Sequence, residues 1–291
     1  MNGILLIDKP AGWTSMDVCA KLRGVLREKR IGHSGTLDPM ATGLLVVFLG
    51  RATRAVEFAE ADSKTYEAAL RLGITTDTQD VTGTVLSECP VSVTETELED
   101  ILSRFCGEID QIPPMYSAIK VNGQKLYDLA RKGREVERAA RRITIYDLMR
   151  TGTAENGDFL LTVRCSKGTY IRTLCHDIGA ALGCGGAMSA LRRTHAGAFD
   201  LSEANTLDEV LNAAAEGRAE ELLLPVDTLF SAYAARTLTA AQEKAIRNGA
   251  AFTCTEPDAE ALRLYGRSGE FLALGRIQDG MLRPIKSFFE V

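Results

Sequence analysis

Long apolar runs are missing from this chain of 291 residues. The longest, around Leu44 to Leu49, is far short of the roughly 20 residues that a membrane helix needs, so no membrane association is expected. Met1 to Pro10 has no basic region, and Asp8 and Pro10 interrupt its apolar stretch; it predicts no signal peptide. Seven cysteines are scattered, and none forms a C-x-x-C pair, which disfavours zinc-ribbon and thioredoxin readings. Reduced thiols in a cytoplasmic protein are the expectation. There are three histidines (33, 176 and 195), none with a helix-spaced histidine partner, so no metal is expected. The phosphate-loop signature G-x-x-x-x-G-K-[ST] is absent, as is the G-x-S-x-G elbow of serine hydrolases. Gly183-Cys184-Gly185-Gly186 follows a helical pattern and reads as helix termination, not as a dinucleotide fingerprint.

What remains is an ordinary globular composition, 45% hydrophobic and 25% charged with mean hydropathy −0.03. The length suggests about two domains, and a chain of this size buries enough surface to need no disulfide or metal staple. The net charge of −5 argues against a uniformly basic nucleic-acid-coating protein, but the charge is unevenly spread. Residues 86–110 carry net −6 and 200–230 net −7, while 120–150 carry net +5 and 163–195 net +4. One basic stretch alone is as readily a solvated face. Two, with Tyr127 and Tyr170 among them and Tyr116 just ahead of the first, point to a phosphate-rich partner, since arginine binds phosphate bidentately and aromatic faces stack on bases.

Periodicity gives a strand over residues 3–9, a helix to about Leu26 capped by Thr14 or Ser15, and a polar glycine-rich loop from Arg30 to Pro39. A buried strand over 43–50 follows, then an alternating strand over 64–72. Asp77, Asp80 and Gly83 mark a turn. An amphipathic helix over 94–106 with Thr94 as N-cap ends before Pro113-Pro114, and Asn122-Gly123 reads as a tight turn. Strands over 141–150 and 158–165 form a hairpin. Residues 169–182 are helical, 206–223 form an acidic helical stretch, and the chain after about 232 has a helix and short strands. Strands mixed irregularly with helices predict an α+β fold.

The loop from Gly32 to Gly43 is the most unusual segment, a cluster of Gly, His, Thr, Asp and Pro just before a buried strand. Asp38 precedes a proline, which biases it to extended geometry. It is a candidate nucleophile, base or metal ligand, and equally a turn or cap aspartate. These features alone describe a carboxylate-centred site and a basic partner face without fixing a reaction.

Five ordered motifs go further. They are Gly3-Ile4-Leu5-Leu6-Ile7-Asp8-Lys9-Pro10 with Gly12, Thr14 and Ser15; Gly32-His33 with Gly35-Thr36-Leu37-Asp38-Pro39 and Ala41 to Leu45; Lys64-x-Tyr66 with Leu70-x-Leu72-Gly73; Pro113-Pro114-x-Tyr116-Ser117-Ala118-x-Lys120 through Ala130-Arg131; and Cys165-Ser166-x-Gly168-Thr169-Tyr170-Ile171-Arg172. In that order they resemble the TruB-type tRNA pseudouridine synthases over residues 3 to 195; the segment after 232 resembles the family's small PUA-like RNA-binding domain only weakly. The resemblance implies an α+β catalytic domain over 1–230, on a mixed, largely antiparallel sheet with flanking helices. Within it, 113–142 would be a mobile RNA-clamping segment, and 232–291 a β-rich PUA-like domain. It implies an isomerase that converts uridine 55 of the tRNA T-loop without a cofactor, by breaking the C1′–N1 bond and rejoining the flipped base through C5.

By the same resemblance Asp38 is the catalytic aspartate, as nucleophile or as base on a glycal route. Arg172 pairs with it, and Tyr66 stacks on the target base and is the candidate for the late proton abstraction from C5. His33 fills the gap left by the flipped nucleotide, Tyr170 lines the pocket, and Lys64, Lys120, Lys9 and Leu191 contact substrate. The expected partner is the T-stem-loop of tRNA, met by a monomer that needs no protein partner. Two other readings are a non-catalytic RNA-binding module, which would not need Asp38, Tyr66 and Arg172 together, and a carboxylate-dependent hydrolase, which would want two paired carboxylates.

Overall fold

The computed structural model describes residues 1–59, 63–121 and 123–289. In chain order it contains β1 (Gly3–Lys9), α1 (Ser15–Leu26), β2 (Ile31–Ser34), β3 (Thr42–Leu49), α2 (Val56–Ala59) and β4 (Lys64–Leu72). Next come β5 (Ile74–Thr76), β6 (Val85–Glu88), α3 (Glu95–Arg104), β7 (Gly107–Gln111), β8 (Lys120–Val121), β9 (Gln124–Lys125) and α4 (Leu126–Ala130). β10 (Arg141–Thr153), β11 (Phe159–Cys165), α5 (Ile171–Ala181), β12 (Gly186–Ala196), β13 (Phe199–Asp200), β14 (Asn205–Thr206) and α6 (Leu207–Ala215) follow. The chain closes with β15 (Ala235–Thr237), α7 (Ala240–Arg247), β16 (Phe252–Thr253), β17 (Ala259–Tyr265), β18 (Phe271–Gln278) and β19 (Met281–Ser287).

These elements fall into two compact units. The first comprises residues 1–39, 45–60 and 201–291, the second 40–44 and 61–200; β3 thus contributes residues to both. In the first unit β14 pairs parallel with β1, and β2 pairs antiparallel with β3, His33 opposite Val47. Leu5, Ile7, Val18, Leu22, Leu45, Val47, Leu207 and Val210 form one core there. Five C-terminal strands, in the order β15-β17-β18-β19-β16, enclose a second core around Leu264, Leu272 and Leu282. In the second unit β3, β12, β4, β11, β10 and β7 are neighbours in that order. The β12–β3 pair is parallel and the others are antiparallel. The fold is α+β on a mixed sheet.

Local signals explain the starts of α1, α3, α6 and α7. Thr14, Thr94, Thr206 and Thr239 each close a capping box, the side-chain oxygen accepting the third helical N–H while that residue's side chain accepts the cap's own N–H. Three expectations are corrected. Residues 31–34, read as loop, form β2, because Ile31 and Ser34 are buried against β3. The helix from Glu95 ends at Arg104, and β7 intervenes before the prolines. The basic stretch 163–195 is partly internal, since Arg172 and Arg193 are 5% and 0% exposed. The expected turn at Asn122-Gly123 includes Asn122, which lies outside the described residues.

Candidate active site

Asp38 lies in the seven-residue connection 35–41 between β2 and β3 and is half-buried. Its flanks are held by the turn between β1 and α1. The Ser15 hydroxyl accepts from the Leu37 amide at 2.9 Å and lies 3.2 Å from the Leu37 carbonyl oxygen, to which it donates. On the other side the Pro39 carbonyl accepts from the Gly12 amide at 2.8 Å. Lys9 is fully buried, and its ammonium donates to the carbonyls of Pro10 at 2.8 Å, Trp13 at 2.6 Å and Pro39 at 3.5 Å. Lys9, expected as a substrate contact, is buried and directs these three charge-assisted hydrogen bonds to main chain. His33 stands on β2, half-buried, not on a loop.

The remaining candidates belong to the second unit. Tyr66, 7% exposed, sits in mid-sheet on β4 between Val163 of β11 and Arg193 of β12. Leu191 pairs with Ala68 two residues further along β4, which puts it diagonal to Tyr66 on the same face of the sheet. Lys64, also buried, lies opposite Cys165 and Ala196. Tyr170 is the residue before the first turn of α5, and the buried Gln111 side chain brackets its main chain: Gln111 Nε2 donates to Tyr170 O at 3.1 Å, and the Tyr170 amide donates to Gln111 Oε1 at 2.8 Å. Its ring is left half-buried.

Arg172, in the first turn of α5, donates to Thr78 O at 3.0 Å and Tyr116 O at 2.8 Å and lies 3.9 Å from the Asp80 carboxylate. Asp80 accepts in turn from the Thr78 hydroxyl, the Thr82 amide and the Thr82 hydroxyl at 2.5–2.9 Å. The expected turn at 77–83 is thus built on a buried aspartate, and its Thr78 carbonyl, with that of Tyr116, holds the guanidinium. Sequence reasoning placed Asp80 in a turn but missed its approach to Arg172, and it missed Gln111 and the bonds of Ser15 to Leu37, though Ser15 stood out as a candidate cap and in the first motif.

Lys120 is exposed on β8, opposite Lys125. The Lys125 ammonium meets the Tyr127 hydroxyl at 3.0 Å, and the Arg131 guanidinium lies 5.5 Å from the Tyr127 ring. Arg131, Lys132, Arg134, Arg141 and Arg142 are exposed as well. Among the described residues no group of three or more His, Cys, Asp or Glu is placed to hold a metal ion, and no helix is long and apolar enough to cross a membrane.

This architecture recurs in known structures. "Crystal Structure of a Cbf5-Nop10-Gar1 Complex" contains a chain that matches with a TM-score of 0.75 and 26% identity, over 99% of this chain and 85% of that one. A chain in "Structure of H/ACA RNP bound to a substrate RNA containing 2'-deoxyuridine" has the same fold, with a TM-score of 0.73 and 24% identity over 99% of this chain and 85% of that one. In sequence, the TruB family pseudouridylate synthase N-terminal domain matches residues 23–171. The tRNA pseudouridylate synthase B C-terminal domain matches 172–231, and the pseudouridine synthase II TruB C-terminal domain matches 234–286. Two relatives carry the name tRNA pseudouridine synthase B. That of Azoarcus sp. (strain BH72) is 49% identical, covering 98% of this chain and 94% of its own. That of Ralstonia pickettii (strain 12J) is 47% identical, covering 98% and 93%. The class is therefore that of the RNA-uridine isomerases, and the chain belongs to the TruB family of pseudouridylate synthases.

Proposed function

We propose that the chain isomerises uridine 55 in the T-loop of tRNA to pseudouridine, with Asp38 as its single catalytic carboxylate and no cofactor. The observation that carries this is the similarity along nearly the whole chain to proteins named tRNA pseudouridine synthase B. The chemistry fits the residues at hand. The C1′–N1 bond breaks, the detached uracil turns, C1′ bonds to C5, and Tyr66 takes the C5 proton and passes it to solvent. Asp38 serves either by attacking C1′ or by taking the C2′ proton, and its charge stabilises positive charge developing at C1′. Arg172 pairs with Asp38 and keeps it ionised; the two carbonyls that hold its guanidinium support a fixed orientation. Tyr66 stacks on the uracil, with Leu191, Tyr170 and Lys64 around it.

To reach such a pocket the base must leave the T-loop stack, at a cost of a few kcal/mol. His33 fills the vacated position. Lys120 to Arg142 close over the phosphates, a reading supported by the exposed basic side chains around Tyr127. A single chain suffices, working in the cytoplasm, and the C-terminal sheet adds RNA contact. The test is tritium release from C5-labelled uridine in a T-stem-loop RNA. Wild-type protein releases it stoichiometrically with product, and Asp38→Asn releases none. Release by Asp38→Asn at a comparable rate would remove Asp38 from the chemistry.

A further inference from the structure

We propose that Ser15 is a positioning residue for Asp38. This rests on Asp38 being the catalytic carboxylate. The hydroxyl is 1% exposed and has both of its roles committed to one residue, accepting from Leu37 N–H at 2.9 Å and donating to Leu37 C=O at 3.2 Å. A single side chain thereby imitates the paired bonds that one strand residue exchanges with another across an antiparallel ladder. The Leu37 carbonyl belongs to the same peptide plane as the Asp38 amide, so fixing one fixes the other. Beyond Asp38, the pyrrolidine ring of Pro39 restricts Asp38 to extended geometry, and the Pro39 carbonyl is held by Gly12 N–H at 2.8 Å.

Asp38 is itself half-buried and sits on a connection between strands. Rotation about its own backbone torsions is the freedom that would misdirect its carboxylate, and these constraints act on both sides of it. Leu37 reinforces them from below, 2% exposed. Ser15 occupies the first helical position of α1, whose capping box at Thr14 and buried Val18 and Leu22 anchor it. The hydroxyl therefore refers the aspartate to a rigid element, which is what a reacting group needs when a displacement of about 1 Å can cost about a hundredfold in rate.

The experiment compares Ser15→Ala, Ser15→Thr, Val210→Ala and Asp38→Asn by tritium release from the T-stem-loop RNA, with thermal melting of each. Ser15→Ala is expected to lower kcat by about 10- to 100-fold and to leave KM within about twofold, because Ser15 is buried. Ser15→Thr, which keeps the hydroxyl, is expected to restore most of kcat. Val210→Ala, a cavity in the same core but on α6, sets the effect of lower stability alone and is expected to keep kcat below its melting temperature. The proposal is overturned if Ser15→Ala retains wild-type kcat while Asp38→Asn is inactive, or if kcat falls equally in Val210→Ala at an equal drop in melting temperature. Activity in Asp38→Asn would instead overturn the reading of Asp38 on which the proposal stands.

Discussion

Asp158 is 5% exposed on its side chain and ionised. Burial alone would raise its pKa, but hydrogen bonds from Arg71 at 2.9 and 3.0 Å, from Ser189 at 2.5 Å and from Asn156 at 2.9 Å outweigh that and hold it below the usual carboxylate range. Because the folded pKa lies below the unfolded one, the group stabilises the fold above about pH 4 and loses that contribution as pH falls through the folded pKa. Asp158→Asn is expected to cost about 1–3 kcal/mol at neutral pH, as its donors lose a charged acceptor, and to flatten the acid limb of stability against pH measured by urea denaturation. The thiols make a second residue-scale test. Burial pushes Cys19 and Cys165 up to about 11 and Cys175 to about 12, while Cys89 and Cys106 are exposed. Thiolates are the reactive form, so brief iodoacetamide treatment of the native protein at pH 7.5 is expected to label Cys89 and Cys106 and to spare Cys19, Cys165 and Cys175, as read by peptide mass spectrometry. Depth is also where sequence reading stops: Arg193 looks like one more member of a basic stretch in the sequence, and only tertiary packing buries it.

Strand β3 shows what is legible among the elements. Its run Leu44 to Leu49, apolar on both faces and bounded by glycines, announces a fully buried strand, and the Thr-x-x-Asp and Thr-x-x-Glu patterns announce α1 and α3. β12 carries no such signal, because Gly186, alanines and paired arginines have weak strand propensity; β3 and β4 on either side make it a strand. Gly43 is where these strands meet. Its φ of +95° suits glycine, and a Cβ there would fall on the main-chain nitrogen and oxygen of Arg193. The Arg193 guanidinium meanwhile donates to Leu44 O at 2.7 Å. Gly43→Ala is expected to cost at least about 1–3 kcal/mol from backbone strain alone, seen as a lower urea midpoint, with reduced protection of the Leu44 to Val47 amides in hydrogen exchange.

For the whole molecule, the net charge of −5 is less informative than where exposed charge lies. Replacing Arg131, Lys132, Arg134, Arg141 and Arg142 with alanine is expected to weaken RNA binding and to reduce its salt slope by about 0.7–0.9 for each phosphate that is no longer neutralised, measured by filter binding across ionic strength. An unchanged slope would mean these side chains do not meet phosphate. The C-terminal strands are joined to the rest of their unit through aromatic packing. Phe230 lies 5.4 Å from Phe58, 6.0 Å from Phe271 and 5.7 Å from Phe288 between ring centroids. A chain cut after residue 231 uncovers Phe230 and Phe58, and it is expected to bind a hydrophobic dye and to aggregate at concentrations where the full chain does not. The pairing of β1 has a consequence for the order in which the molecule is made. Ile7 and Asp8 pair with Asn205 and Thr206, and Ile4 exchanges both main-chain bonds with Leu224. On a ribosome moving at about 5–20 residues per second, the first strand emerges roughly 10–40 s before these partners exist. For that interval the edge of the Ile4 to Ile7 strand keeps unpaired N–H and C=O groups, so the nascent chain offers a pairing template to other strands until Leu224 has been made.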